Sequence, residues 1–167
     1  MIGIFDSGYG GLTVLKEIKR VLPEYNYIYL GDNKRVPYGG RSDEEIYKMT
    51  REAVDFLSKK GCKLIIIACN TVSVKALKKI QQEYIINRQK DIKVLGVIIP
   101  TVERVIELSG NKKVRVGIIA TEQTIKSREY NKKIKEKNKN IDLFSISCPL
   151  LVPLIENNID KKKLILN

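Results

Sequence analysis

Lys63–Thr71, KLIIIACNT, narrows the folds open to this chain more than any other segment. Its apolar run, Leu64 to Ala68, carries no polar interruption and is the mark of a buried strand. The run empties into Cys69-Asn70-Thr71 and then into a helical pattern. Cys69 is therefore expected near the C-terminal tip of a strand and the start of a helix. Open α/β sheets place ligands at such strand ends, and a helix N-terminus favours the reactive thiolate. The plainer alternative is a small buried cysteine, a frequent fate of this residue.

Strand-like and helix-like segments alternate along the whole sequence, which predicts an α/β fold with a parallel sheet. Strands are expected at Ile2–Phe5, Tyr27–Leu30, Leu64–Ala68, Val94–Ile99, Val114–Ala120 and Ile141–Ile146. Helices are expected over Gly11–Leu22, Asp43–Lys60, Thr71–Tyr84, Thr101–Leu108, Thr124–Lys137 and Leu151–Asn157. The second helix opens with a capping box, Ser42 and Glu45, and has a buried stripe of Ile46, Met49, Ala53 and Leu57. A domain boundary is expected around Lys90–Pro100.

Composition excludes several classes. The 43% hydrophobic content is that of an ordinary globular core, and no apolar run approaches a membrane span. The N-terminus has no signal-peptide pattern, so a cytoplasmic protein is expected. There is no histidine and no CxxC, which excludes the usual Cys/His zinc sites. Cys62, Cys69 and Cys148 are expected to be reduced thiols, with Cys62 structural. The net charge of +12 is compatible with nucleic-acid binding, but the lysines fall on helix faces rather than in an aromatic-interleaved stripe. Solvated helix faces are the expected reading, with no nucleic-acid partner and no membrane partner.

Two further loops follow strands. Phe5–Leu12, FDSGYGGL, is a glycine-rich turn into a helix, and its amides could approach an anion. In it, Ser7 can donate to a carboxylate, and Asp6 can receive an ammonium or support proton transfer; a tight turn capped by Asp6 is the alternative. Asp32–Gly40, DNKRVPYGG, puts Tyr38 and the amide of Gly39 at the same sheet edge, or is simply a surface loop. In a parallel sheet the loops bearing Asp6, Tyr38 and Cys69 converge on one edge, which strengthens each.

A faint internal repeat aligns GIFDSGYGGLTVLKEIKR, from Gly3, with GIIATEQTIKSREYNKKI, from Gly117. The following strands, NYIYLGD and IDLFSISCP, align as well. The offset that separates Cys69 from Gly3, taken from Gly117, falls beyond Asn167.

IGIFDSGYGGLTVLKEI, YLGDNKRVPYGGRS, IIIACNTVSVKAL, VLGVIIP, VGIIATEQTIKSREY and SCPLLVPLIEN together resemble the glutamate racemases of the aspartate/glutamate racemase superfamily. The resemblance runs from Met1 to about Asn158. It implies two similar parallel-sheet α/β domains, 1–95 and 96–167, with the active site between them and the second domain incomplete. It also implies cofactor-independent interconversion of L- and D-glutamate for peptidoglycan, and a homodimer for the intact enzyme. By the same resemblance, Cys69 is one of two thiols exchanging protons on opposite faces of the substrate Cα. Asp6 and Glu156 match acidic residues that assist the thiols. Asp6, Ser7, Tyr38, Gly39, Asn70 and Thr71 match substrate-binding positions, and Thr121 and Thr124 match a second-domain loop facing the substrate. The family's second cysteine lies in a Cys-Thr-His segment that this sequence does not contain. The chain is therefore expected to be a C-terminally truncated racemase with negligible activity alone. Alternatives are a single-thiol decarboxylase or isomerase of the superfamily, or a basic binding module.

Overall fold

The computed structural model describes residues 1–88 and 91–156. Its first sheet has four parallel strands in the order β2-β1-β3-β4. These are β1 (Ile2–Asp6), β2 (Tyr27–Gly31), β3 (Leu64–Ile67) and β4 (Lys93–Gly96). The apolar strands β1 and β3 lie side by side at the centre, Ile2 beside Leu64 and Phe5 beside Ile67. Every residue of β1 is buried, as expected of a strand covered on both faces.

The crossovers are helical. α1 (Gly11–Val21) and α2 (Asp43–Lys59) have their expected places. The Ser42 hydroxyl accepts from the Glu45 amide while the Glu45 carboxylate accepts from the Ser42 amide, completing the capping box. The stripe Ile46, Met49, Ala53 and Leu57 is buried, joined by Val54. It packs with Phe5, Ile65, Ile67, Val72 and Ile80 in the larger core.

The helix expected over Thr71–Tyr84 is instead broken into short pieces. α3 (Asn70–Lys75) and α4 (Leu77–Lys79) are followed by a π-helical turn at Ile80–Ile85 and by α5 (Ile86–Arg88). The strand expected at Val94–Ile99 stops at Gly96, and α6 (Ile98–Ser109) begins earlier than the pattern predicts. The strand runs against the preceding helix there: a Cβ on Gly96 would stand 2.5 Å from Leu77 Cδ2. Pro100 then sits in the first turn of α6, where backbone N–H groups have no partner within the helix in any case.

β5 (Val114–Ala120) and β6 (Ile141–Ser147) form a second, two-stranded parallel sheet. The helix expected over Thr124–Lys137 is two helices, α7 (Glu122–Ser127) and α8 (Glu129–Lys137), separated by Arg128 in the left-handed region with φ 54°. At this junction the Ser127 hydroxyl donates to the Thr124 carbonyl and accepts from the Glu129 amide. α6 and α8 cover one face of this sheet, burying Ile98, Val102, Tyr130, Ile134 and Ile141. On the other face Ile119, Phe144 and Ile146 are exposed, and the Arg115 guanidinium lies 4.5 Å from the Phe144 ring centre. α9 (Leu151–Glu156) closes the described chain, and the expected helix end at Asn157 lies outside the described residues. No helix among the described residues is long and apolar enough to cross a membrane.

Candidate active site

The tips of β1, β2 and β3 point to one edge of the first sheet, and the loops that follow them build the site. Asp6, the last residue of β1, is buried. Its Oδ2 accepts from the amides of Gly8 at 3.2 Å and Gly11 at 3.0 Å. Asp6 thus closes the turn and takes the first amide of α1 from outside the cap position, which Gly10 occupies, and the same side chain also faces the cavity described below. The turn must pass close: a Cβ on Gly11 would stand 2.7 Å from Asp6 Cβ and 3.0 Å from Ala68 Cβ. Tyr29 secures the other end of the turn, its hydroxyl donating to the Gly8 carbonyl at 2.7 Å.

Cys69 follows β3 and opens α3, as expected. Its Sγ lies 3.4 Å from the Ser7 hydroxyl. The expectation of a favoured thiolate is corrected. Burial pushes the Cys69 thiol up, and the neighbouring Asp6 carboxylate adds to it. The Ser7 hydroxyl and the amides of Val72 and Ser7 pull the other way without prevailing. Desolvation of a sulfur anion outweighs two amides and a hydroxyl here. In the free protein Cys69 is a thiol at neutral pH.

Tyr38 is not part of an exposed surface loop. It is buried edge-on against Phe5, with ring centres 6.4 Å apart. Its hydroxyl donates to Asp32 Oδ2 at 2.6 Å, and Arg35 Nε holds the same oxygen at 2.6 Å. Burial, then the hydrogen bond to Asp32, push the Tyr38 phenol far above its ordinary value. The hydroxyl is committed to Asp32, leaving the ring and the adjoining Gly39 to shape the wall. Asp32 and Arg35, which anchor that wall, carry no local pattern that distinguishes them from surface charges.

The second sheet's loops meet the Cys69 turn. Thr71 and Thr121 hydroxyls are 3.0 Å apart, and Thr121 and Thr124 hydroxyls likewise. Thr121 caps α7 by accepting from the Thr124 amide. The Tyr130 hydroxyl donates to Asn70 Oδ1 at 2.7 Å.

These groups surround a cavity of about 450 Å³, of small-molecule size. Asp6, Ser7, Tyr38, Gly39, Cys69, Asn70 and Thr71 line it from the first sheet, and Thr121 from the second. Thr124 is buried behind Thr121 and does not line it. Glu156 ends α9, and its side chain lies outside what the structure describes. Sequence reasoning did not single out Glu122, Pro149, Val152 or Pro153, which also line the cavity. Glu122 could have been found from its place beside Thr121; the others carry only an apolar pattern. No Lys or Arg lines the cavity among the described residues. A carboxylate held here would accept from hydroxyls, side-chain amides and backbone N–H groups, and an ammonium would meet Asp6 or Glu122. Cys69 is the only cysteine lining the cavity among the described residues. Cys62 is in the core, and Cys148 is half-buried beyond β6. The described residues hold no cluster of three His, Cys, Asp or Glu suited to a metal ion.

The chain is 46% identical over 160 residues to glutamate racemase 3 of Caldanaerobacter subterraneus subsp. tengcongensis, covering 96% of this chain and 55% of that protein. Among solved structures, a glutamate racemase isoform from Bacillus anthracis superposes with a TM-score of 0.87 at 38% identity, covering 99% of this chain and 59% of that one. Glutamate racemase from Francisella tularensis subsp. tularensis, solved in complex with D-glutamate, matches at a TM-score of 0.78 and 44% identity. That match covers 93% of this chain and 56% of the other. The chain spans about half the length of the curated relatives it matches. The family model for Asp/Glu/hydantoin racemases matches residues 2–162. The chain belongs to the Asp/Glu/hydantoin racemase family.

Proposed function

We propose that this chain carries the glutamate-binding part of a cofactor-independent glutamate racemase, with Cys69 as one of its two proton-transferring thiols. The observation that carries the reading is a buried thiol 3.4 Å from the Ser7 hydroxyl, beside Asp6, on the wall of a cavity sized for an amino acid. The relatives' names and the D-glutamate complex support glutamate as the substrate. The units 1–95 and 96–167 are its two domains, and the cavity lies between them.

The reaction breaks a Cα–H bond with no cofactor to hold the electron pair. As base, the Cys69 thiolate takes the Cα proton, an S–H bond forms, and the pair left on Cα is delocalised into the α-carboxylate. Donors preorganised at that carboxylate lower the barrier. The Ser7 hydroxyl and the Thr71–Thr121 pair are assigned that role. Because the free thiol is protonated, Cys69 acts as acid in one direction and must first lose its proton to act as base in the other. Asp6, close enough to raise the thiol's pKa, is the group that assists, and Glu156 is assigned the matching role on the opposite side. Ser7, Tyr38, Gly39, Asn70, Thr71, Thr121 and Thr124 form or support the binding wall.

Inversion needs a proton donor on the face opposite Cys69, and the 167-residue sequence lacks the family's Cys-Thr-His segment. The chain alone is therefore expected to exchange the Cα proton without inverting the centre. In the full reaction, the product supplies D-glutamate for peptidoglycan in the cytoplasm, and the intact enzyme is a homodimer. The test is proton NMR of D-glutamate in D₂O with this chain. Loss of the Cα–H signal with retained configuration, abolished in Cys69→Ser, is the expected result. Exchange that survives Cys69→Ser, or inversion at the rate of a full-length relative, overturns the reading.

A further inference from the structure

Asn70 stands between two cavities. It lines the large one and also a smaller one of about 270 Å³ behind it, shared with Thr101 and Tyr130. A terminal amide turns easily about its last torsion, and its two orientations present opposite chemistry, an acceptor or a pair of donors. In this protein one orientation is held from behind. The Tyr130 hydroxyl donates to Asn70 Oδ1 at 2.7 Å.

We propose that Tyr130 is a positioning residue that fixes the Asn70 amide with its Nδ2 donors toward the large cavity, and so selects a ligand carboxylate there. The inference rests on the glutamate reading above for the identity of the ligand. Its physical basis is the make-up of the wall. No cation lines the cavity among the described residues, and Asp6 and Glu122 do. A carboxylate therefore depends on neutral donors, and an inverted Asn70 amide would set an oxygen against it.

Tyr130 is well placed for this work. It is buried among Ile98, Val102, Ile134 and Ile141, so its ring has little freedom. It enters from α8, whose start is redirected by the left-handed Arg128. Burial also raises its phenol above the ordinary value, against a smaller opposing effect of Thr101. The hydroxyl thus keeps its proton and stays a donor through the neutral range.

The test uses the 167-residue chain labelled with ¹⁵N, without ligand and then titrated with D-glutamate. Asn70→Asp, which removes the Nδ2 group, assigns the Asn70 side-chain signals. In the ligand-free wild type, Asn70 is expected to give one sharp amide pair. Tyr130→Phe keeps the ring and removes the hydroxyl. It is expected to shift or broaden that pair while leaving the pairs of Asn111 and Asn138 in place, a signature that a purely structural role would not produce. An unmoved Asn70 pair overturns the proposal. Should Tyr130→Phe fail to fold, an averaged or doubled Asn70 pair in the wild type overturns it equally. In the titration, Tyr130→Phe is expected to bind D-glutamate roughly three- to tenfold more weakly, the scale of one hydrogen bond. Equal affinity overturns the selection of a carboxylate. Failure of the wild type to bind D-glutamate overturns the glutamate reading, while the ligand-free spectra still decide the role of Tyr130.

Discussion

Asp6 shows how one side chain can hold a turn and line a cavity together. Its Oδ2 satisfies two backbone amides that would otherwise be buried without partners, and an unsatisfied buried donor costs about 1–3 kcal/mol. Asp6→Ala is therefore expected to lower stability by about 2 kcal/mol, read as a shift in the urea midpoint. Asp6→Asn keeps an acceptor of the same shape and is expected to stay within about 1 kcal/mol of wild type. Equal losses in the two variants would remove the capping argument. Cys69 gives a pH test. Its folded value is raised above the ordinary thiol value of 9.0 by burial and Asp6, so the folded state holds the proton more tightly than the unfolded chain. That contribution is complete below the ordinary value and is lost as pH rises through the folded value. Between about pH 8 and pH 10 the wild type is expected to lose more stability than Cys69→Ser. Tyr38 is raised as well, but its ordinary value is 10.0 and it is present in both proteins. Parallel curves for the two proteins would contradict the assigned environment of Cys69.

At the scale of elements, the junctions carry the information that periodicity lacks. Thr124–Lys137 reads as one helix because it holds no glycine or proline and is rich in the helix formers Lys and Glu. Arg128 breaks it at φ 54°, a conformation that disfavours side chains with a Cβ. The break turns α8 so that Tyr130 reaches Asn70. Glycine at this position relieves the steric cost, less its greater freedom in the unfolded chain. Arg128→Gly is thus expected to raise stability by about 0.5 kcal/mol, measured by chemical denaturation. A clear loss would mean that the Arg128 side chain itself holds the junction. β4 and α6 make the same point: Gly96, pressed against Leu77, ends a strand that apolar content alone would extend to Ile99.

For the whole molecule, the unequal sheets matter most. The four-stranded sheet buries β1 on both faces, whereas the β5–β6 sheet leaves Ile119, Phe144 and Ile146 in solvent. Parallel strands ordinarily have both faces covered, and an exposed apolar patch of this kind drives association. The chain is expected to bind a hydrophobic dye and to self-associate as concentration rises. Ile119→Lys combined with Ile146→Lys should suppress both without disturbing the thermal unfolding of the first sheet. Dye binding that is unchanged in this double variant would place the exposed apolar surface elsewhere.

Much of this was written locally in the chain. The run Leu64–Ala68, the Ser42–Glu45 capping box and the glycine turn after Asp6 depend on neighbours a few residues away, so the βα order and the positions of Asp6, Ser7, Tyr38, Cys69, Asn70 and Thr71 were legible. The repeat of strand, turn and helix from Gly117 was legible for the same reason. Tertiary structure decided what depends on distant partners. Burial beside Asp6 made Cys69 a thiol where its place before a helix suggested a thiolate. Asp32 turned Tyr38 inward, Thr121 met Thr71, and Tyr130 took hold of Asn70 across 60 residues of chain. Periodicity reports which face of an element is apolar; desolvation, close packing and long-range hydrogen bonds exist only once the elements have been brought together.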